Sequence, residues 1–165
     1  MNQSNPYQDN LQLWQQYLAN VRLSGDRYGE AIALTNLGAI YDALEQYDEA
    51  LESYHQGLVI FREMGDRSKE IWVLNNIGTT YNTLAQYDKA VEAYQSAVAI
   101  SQAEGTLVRE GWVLRNLGHT YRCMAQYEKA VESFQQALRV FQATSSSEEQ
   151  AEVMRLLQEV QQERD

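Results

Sequence analysis

Three asparagine residues recur at an interval of 40 residues: Asn36, Asn76 and Asn116. An asparagine amide carries both a hydrogen-bond donor and an acceptor, so it can pair with a backbone peptide group whatever side chain that group bears. Three such amides on one surface can hold an extended polypeptide segment. The alternative is that these amides bond between adjacent helices and only shape the surface.

Large apolar residues precede the asparagines by four positions: Ile32, Trp72 and Trp112. Residues four apart are neighbours on an α-helix, so each apolar side chain should lie one turn away from an asparagine. Two tryptophans beside polar amides suit the anchor pockets of a binding surface. They equally suit a seal between neighbouring helices, and the sequence leaves both interpretations open.

The residues around Asn116 carry positive charge that the residues around Asn36 and Asn76 lack. These basic residues are Arg115, His119 and Arg122. Spacings of four and three place them on one helix face. Asn75 and Thr79 lie 40 residues before Arg115 and His119. An acidic side chain or a carboxyl terminus of a ligand would suit this face. The alternative is that Glu110 or a carboxylate of the last helix already neutralises the charge.

No pattern in the sequence indicates catalysis or a bound metal. His119 and Cys123 are four apart, but a structural zinc site requires four ligands and the chain has a single cysteine. The sequence also lacks a glycine-rich phosphate loop, a nucleophile elbow and a metalloprotease histidine pair. We therefore expect no enzymatic activity, no metal and no cofactor.

Composition favours helices and a soluble protein. The only proline is Pro6, and alanine, leucine, glutamine and glutamate are abundant. Acidic residues outnumber basic ones by 23 to 13, which gives a formal charge of -10 that repels nucleic acid and anionic lipid. No apolar run reaches membrane-spanning length, and the N-terminal residues have no basic or apolar targeting segment. We expect a cytoplasmic protein with no nucleic-acid partner and no membrane insertion.

The 40-residue interval also governs the residues that build the elements. Three units open at Gly25, Gly65 and Gly105. Within a unit the apolar residues follow the spacing of a buried helix stripe, so each unit is predicted to be a pair of antiparallel helices. The residues predicted to cap the first helices are Asp26, Asp66 and Thr106. The mid-helix glycines, which predict a close approach to Ala50, Ala90 and Ala130, are Gly38, Gly78 and Gly118.

These residues resemble the tetratricopeptide signature. The matching pattern is Leu34-x-x-Leu37-Gly38-x-x-Tyr41 followed by Ala50-x-x-x-Tyr54, with leucine in place of the usual tryptophan and no closing proline. It occurs three times in register. The period of 40 departs from the usual 34 and resembles the longer repeats of Pins-like polarity adaptors and of many bacterial repeat proteins. The resemblance implies an all-α fold, a right-handed α-solenoid of tandem helix-turn-helix repeats with about eight helices.

Both ends of the chain fit the same register, so we predict a single domain over residues 1–165. At the carboxyl end, Met154 and Leu157 should cover the third repeat, whereas Gln158 and Gln161 should give the helix a polar outer face. The segments are an orphan second-type helix at 1–24, repeats at 25–64, 65–104 and 105–144, and a capping helix at 145–165.

In the tetratricopeptide family the first helices of the pairs line the concave face and receive extended peptides, and the asparagine position often contacts the ligand backbone. The resemblance therefore implies an adaptor, scaffold or assembly factor that binds another protein or a peptide. An acidic segment or a C-terminal carboxylate is one suitable ligand. The alternative function is self-association into a homo-oligomer. The candidate peptide-binding residues are Ile32, Asn36, Trp72, Asn75, Asn76, Thr79, Trp112, Arg115, Asn116, His119 and Arg122.

Overall fold

The computed structural model describes residues 6–164, except for the side chains of Pro6 and Val108. Within this range the chain forms eight α-helices and no β-strand. The part of the predicted first helix that precedes Pro6 lies outside the described residues. The helices are α1 Pro6–Ser24, α2 Arg27–Ala43, α3 Tyr47–Met64, α4 Arg67–Thr83, α5 Tyr87–Glu104, α6 Leu107–Cys123, α7 Tyr127–Ala143 and α8 Ser147–Arg164.

These helices confirm the all-α fold that the 40-residue register predicts. In that register α2, α4, α6 and α8 are first helices, and α1, α3, α5 and α7 are second helices. The chain divides into two compact units, the first ending at Thr80 and the second beginning at Tyr81. None of the described helices is both long enough and apolar enough to cross a membrane.

Glycine sets three of the turns that lead from a second helix into the next first helix. Gly25, Gly65 and Gly105 have φ angles of 74°, 70° and 66°. This left-handed conformation costs other residues roughly 1 to 2 kcal/mol, because their Cβ atom crowds the following carbonyl oxygen. The glycines that open the repeats in the sequence therefore mark positions where the backbone must reverse.

Two of the three predicted helix caps are confirmed. A side-chain oxygen of Asp26 accepts the amide of Gly29 at 2.9 Å, and Asp66 accepts the amide of Lys69 at 3.0 Å. The predicted cap at Thr106 is wrong, because its side chain makes no capping bond to α6. A hydroxyl can also donate, and this one donates to the carbonyl oxygen of Ser101 at the end of α5, at 3.4 Å.

In two repeats, a glycine of the first helix lies directly against an aromatic ring of the second helix. In the first unit, a Cβ atom added to Gly38 of α2 would lie 2.6 Å from the ring of Tyr54 in α3. In the second unit, a Cβ added to Gly118 of α6 would lie 2.7 Å from the ring of Phe134 in α7. Close approach at these glycines is confirmed, but an aromatic ring, and not the predicted alanine, needs the space.

Helix α8 packs against α7 and buries Val153 and Val160 completely. The sequence predicted that Met154 would cover the third repeat, but its side chain is exposed. Glu152 and Glu159, each of which directly precedes one of these valines, form ion pairs with arginines of α6. These ion pairs and the buried valines fix the rotation of α8, which turns Met154 toward solvent.

The contact between Gly118 and Phe134 predicts an unusual response to Gly118→Ala. Alanine normally stabilises an exposed helix position by about 1 kcal/mol relative to glycine. Here the added methyl group would displace a fully buried ring, so we expect unfolding free energy to fall by about 1 to 3 kcal/mol. Urea unfolding followed by circular dichroism measures this, with exposed His119→Ala as the control. A gain in stability for Gly118→Ala would contradict the packing described.

Removal of residues 145–165 tests the contribution of α8. The truncation would expose the surface that Val153 and Val160 cover. It would also remove the carboxylates that pair with two arginines of α6. We expect a lower melting temperature or aggregation, measured by calorimetry and light scattering. Val153→Asp, which keeps the chain length, should act in the same direction. An unchanged melting curve in both variants would mean that α8 does not stabilise the third repeat.

Candidate functional site

The first helices each bury one side and expose another. In α4, Ile71, Leu74 and Ile77 are buried, whereas Trp72 and Thr79 are exposed. The same pattern recurs in α6 at the positions 40 residues later. We use the name first-helix face for the exposed sides of the first helices, each taken within its own unit. Its residues in the first unit are Ile32 and Asn36 in α2 and Trp72, Asn75, Asn76 and Thr79 in α4, and in the second unit Trp112, Arg115, Asn116 and His119 in α6.

Both tryptophans of the first-helix face are open to solvent. Trp72 is 37% exposed and Trp112 is 49% exposed, whereas Ile32 is half-buried. The ammonium group of Lys69 lies 5.8 Å from the centroid of the Trp72 ring, within the range of a cation–π interaction. Lys69 is not among the candidate residues that the sequence pattern indicates. Its signal was available, because a basic residue also precedes Trp112 by three positions, at Arg109.

The asparagines lie half-buried one turn after the apolar residues. The side-chain amide of Asn36 donates to the carbonyl oxygen of Ile32 in its own helix at 2.9 Å. The Oδ1 atom of Asn116 lies 3.5 Å from a guanidinium nitrogen of Arg115. In α4, the hydroxyl of Thr79 donates to the carbonyl oxygen of Asn75 at 3.0 Å. The printed bond of Asn36 therefore lies within its own helix.

Two arginines of α6 are paired with carboxylates of α8. Arg115 lies 2.7 Å from Glu152, and Arg122 lies 2.7 Å from Glu159 and 2.5 Å from Glu163. Hydrogen bonding to Glu163 raises the pKa of Arg122, and the same bond lowers the pKa of Glu163. The last helix thus neutralises both arginines, which is the alternative that the sequence left open.

His119 and Cys123 are both exposed, and the Cys123 sulfur lies 3.6 Å from Nδ1 of His119. A structural zinc ion needs four ligands, and these two supply at most two. Across residues 6–164, no group of three or more histidine, cysteine, aspartate or glutamate side chains could hold a metal ion. The pair therefore forms a local side-chain contact.

A polar contact joins neighbouring first helices within each unit. In the first unit, Asp42 accepts the hydroxyl of Thr80 at 2.9 Å and that of Tyr54 at 3.0 Å. Burial raises the pKa of Asp42, against the effect of these bonds. In the second unit, Asn82 accepts the hydroxyl of Thr120 at 3.0 Å. Arg122 follows Asp42 and Asn82 at the same 40-residue interval. It also contacts the next first helix, α8, but through ion pairs.

Solved structures with a similar fold include three at 16 to 18% sequence identity. BtubC (BKLC) from P. vanneervenii gives a TM-score of 0.81 over 95% of this chain, at 17% identity. The apo form of RapI gives 0.88 over 96% of this chain, at 16% identity. The chain covers only 66% of BtubC and 58% of RapI. The first TPR of Spaghetti (RPAP3) bound to HSP90 peptide SRMEEVD gives 0.63 over 80% of this chain and 90% of that one, at 18% identity.

Sequence comparison gives the family. No curated protein matches the chain. The family model described as tetratricopeptide repeat matches residues 29–103 and, in a second overlapping match, residues 70–143. Together these matches span more than half of the 165 residues and contain three copies of the glycine and tyrosine pattern. The chain belongs to the tetratricopeptide repeat family.

Proposed function

We propose that this protein is an interaction module that binds an extended segment of a partner protein on the first-helix face. In this role it acts as an adaptor, scaffold or assembly factor and has no enzymatic activity of its own. The ligand side chains contact the indoles, and the amides of the asparagines pair with the ligand backbone. The proposal rests on the exposed residues of this surface, because the fold alone does not determine a function.

The observation that carries this proposal is the exposure of Trp72 and Trp112. Burying a large apolar side chain stabilises a folded protein by roughly 1.5 to 3 kcal/mol, so an exposed tryptophan forgoes that contribution. The chain does so twice, at the same position of two helices and one turn from an asparagine. Tryptophan is also enriched among the residues that dominate binding energy at protein interfaces.

The solved structure of the RPAP3 domain supports a peptide ligand, because that protein is bound to the HSP90 peptide SRMEEVD. An acidic ligand segment could also contact a cation that lies beside the first-helix face. Lys69 takes part in none of the ion pairs found among residues 6–164 and lies beside Trp72. Since Arg115 and Arg122 already pair with α8, we place the acidic contact near Lys69 and not at the third repeat.

Alanine substitutions on α4 test the proposal. Asn76→Ala removes a donor and an acceptor, and we expect it to weaken partner binding by about 1 to 3 kcal/mol with unchanged helix content. Trp72→Ala should cost at least as much. The partner would be captured from lysate of the source organism, identified by mass spectrometry and titrated by calorimetry. Val59→Ala, at an exposed apolar residue of the second helix α3, is the matched control.

Normal affinity for the double variant Asn76→Ala and Trp72→Ala, in a protein that keeps its helix content, would exclude the first-helix face as the site. Equal weakening by Val59→Ala would point to the second helices instead. Weakening confined to the α4 variants is the result that the proposal requires.

A second candidate function is self-association, and the surface of α1 favours it. Leu13 is 63% exposed, Tyr17 is exposed, and the ring of Tyr17 packs edge-on against Trp14 with centroids 5.5 Å apart. The equivalent positions of later second helices carry small buried residues, such as Ser53 and Gly57. α1 therefore presents an apolar face that a second copy of the chain could cover.

Light scattering coupled to size exclusion separates the two functions. If self-association is the function, the chain should form a concentration-dependent oligomer, and Leu13→Ser with Tyr17→Ser should return it to the monomer. A monomer at all concentrations would remove this candidate. It would leave the peptide-binding proposal intact.

A further inference from the structure

A glutamate in the first turn of each of the helices α2, α4 and α6 holds the junction with the preceding helix. At the first junction, Glu30 binds Arg22 through Oε1 at 2.9 Å and Arg27 through Oε2 at 2.7 Å. The hydrogen bond from Arg22 is the main reason that the pKa of Glu30 is lowered. Each carboxylate oxygen thus has its own guanidinium group.

The second junction repeats this arrangement. Glu70 binds Arg62 through Oε1 and Arg67 through Oε2, both at 2.7 Å. Burial alone would raise the pKa of Glu70, but the hydrogen bonds from the two arginines outweigh it and lower the pKa. The two arginines therefore compensate for a carboxylate that is almost completely buried.

The third junction keeps the glutamate and loses both arginines. Glu110 is only 9% exposed, and the amide of Gln102 donates to its Oε1 at 2.9 Å, in the place of Arg62. Leu107 stands in the place of Arg67 and is 45% exposed. A leucine cannot donate, so Oε2 lacks the guanidinium that it has at the other two junctions. Within residues 6–164, Glu110 takes part in no ion pair.

The fourth junction shows that the fold accepts a neutral residue once the arginines are gone. There Ser147 and Gln150 stand at the positions of Arg67 and Glu70, and the amide of Gln150 donates to the carbonyl oxygen of Phe141 at 2.9 Å. The charge on Glu110 is therefore not required for packing. An unpaired carboxylate that is mostly removed from water costs stability unless a partner compensates for it.

The start of α6 is also held less firmly than the starts of α2 and α4. Asp26 and Asp66 accept an amide of the first helical turn, whereas Thr106 does not. A side-chain cap contributes about 1 kcal/mol to a helix. The first turn of α6 thus lacks both the cap and the two arginines, and a ligand that bound Glu110 would restore one of these constraints.

We propose that Glu110 and Leu107 form a second docking point, which receives an arginine side chain from a partner protein. The guanidinium group binds Oε2 of Glu110, as Arg27 binds Glu30 and Arg67 binds Glu70 within the chain. The exposed side chain of Leu107 packs against the apolar stem of the arginine. The net charge of -10 attracts such a basic segment. This point lies at the turn between α5 and α6 and does not depend on the peptide-binding proposal.

A nuclear magnetic resonance titration tests the docking point. The probe is the peptide acetyl-Leu-Arg-Leu-amide, and the control is the same peptide with citrulline, which has the shape of arginine without its charge. We expect saturable shifts of the backbone amides of residues 107–111, and roughly tenfold weaker binding of the citrulline peptide. Residues 67–71 provide an internal control, because Arg62 and Arg67 already occupy the equivalent glutamate.

Two variants complete the test. Leu107→Arg supplies the missing cation within the chain, so it should raise the melting temperature and abolish the response to the arginine peptide. Glu110→Gln should abolish the response without adding charge, and circular dichroism checks that both variants are folded. No saturable shift at residues 107–111, an equal response to both peptides, or an undiminished response in Glu110→Gln would each overturn the proposal.

Discussion

The close contact between a glycine of the first helix and an aromatic ring of the second helix is the constraint on which the other features depend. Gly38 meets Tyr54 in this way, and Gly118 meets Phe134. No other residue leaves room for the ring, so the contact fixes which side of the first helix faces its partner. The side that carries Trp112 is then left exposed. The proposed binding surface is thus a consequence of how the two helices pack in these repeats.

The same position in successive first helices makes a different kind of interaction with the next first helix. Asp42 and Asn82 accept a threonine hydroxyl from the next first helix, whereas Arg122 pairs with two glutamates of α8. A cluster of basic residues that suggests an anion site in the sequence is therefore part of a helix-to-helix contact. A charge in a repeat protein has to be judged against the following repeat, because each repeat packs on its neighbours.

The sequence predicts what depends on local spacing and fails where a choice depends on a distant partner. The helices and the capping role of Asp26 follow from the 40-residue register and from side-chain chemistry. The exposure of Met154 could not be predicted from that register, because ion pairs with α6 set the rotation of α8. Likewise, the sequence could not decide between a sealing and an exposed role for Trp72. For the site, the sequence named candidate residues and left open whether a carboxylate of the last helix neutralises Arg115, a question that depends on how α8 packs.

The central claim is that the partner lies on the first-helix face, and the indole N–H signals of the tryptophans test it most directly. The chain has three: Trp72 and Trp112 on that face, and Trp14 in α1 as an internal reference. The ligand is the partner fragment identified by capture. At saturation, the account predicts that the signals of Trp72 and Trp112 shift while that of Trp14 stays in place. A shift of Trp14 alone, or three unchanged signals with binding confirmed by calorimetry, would contradict it.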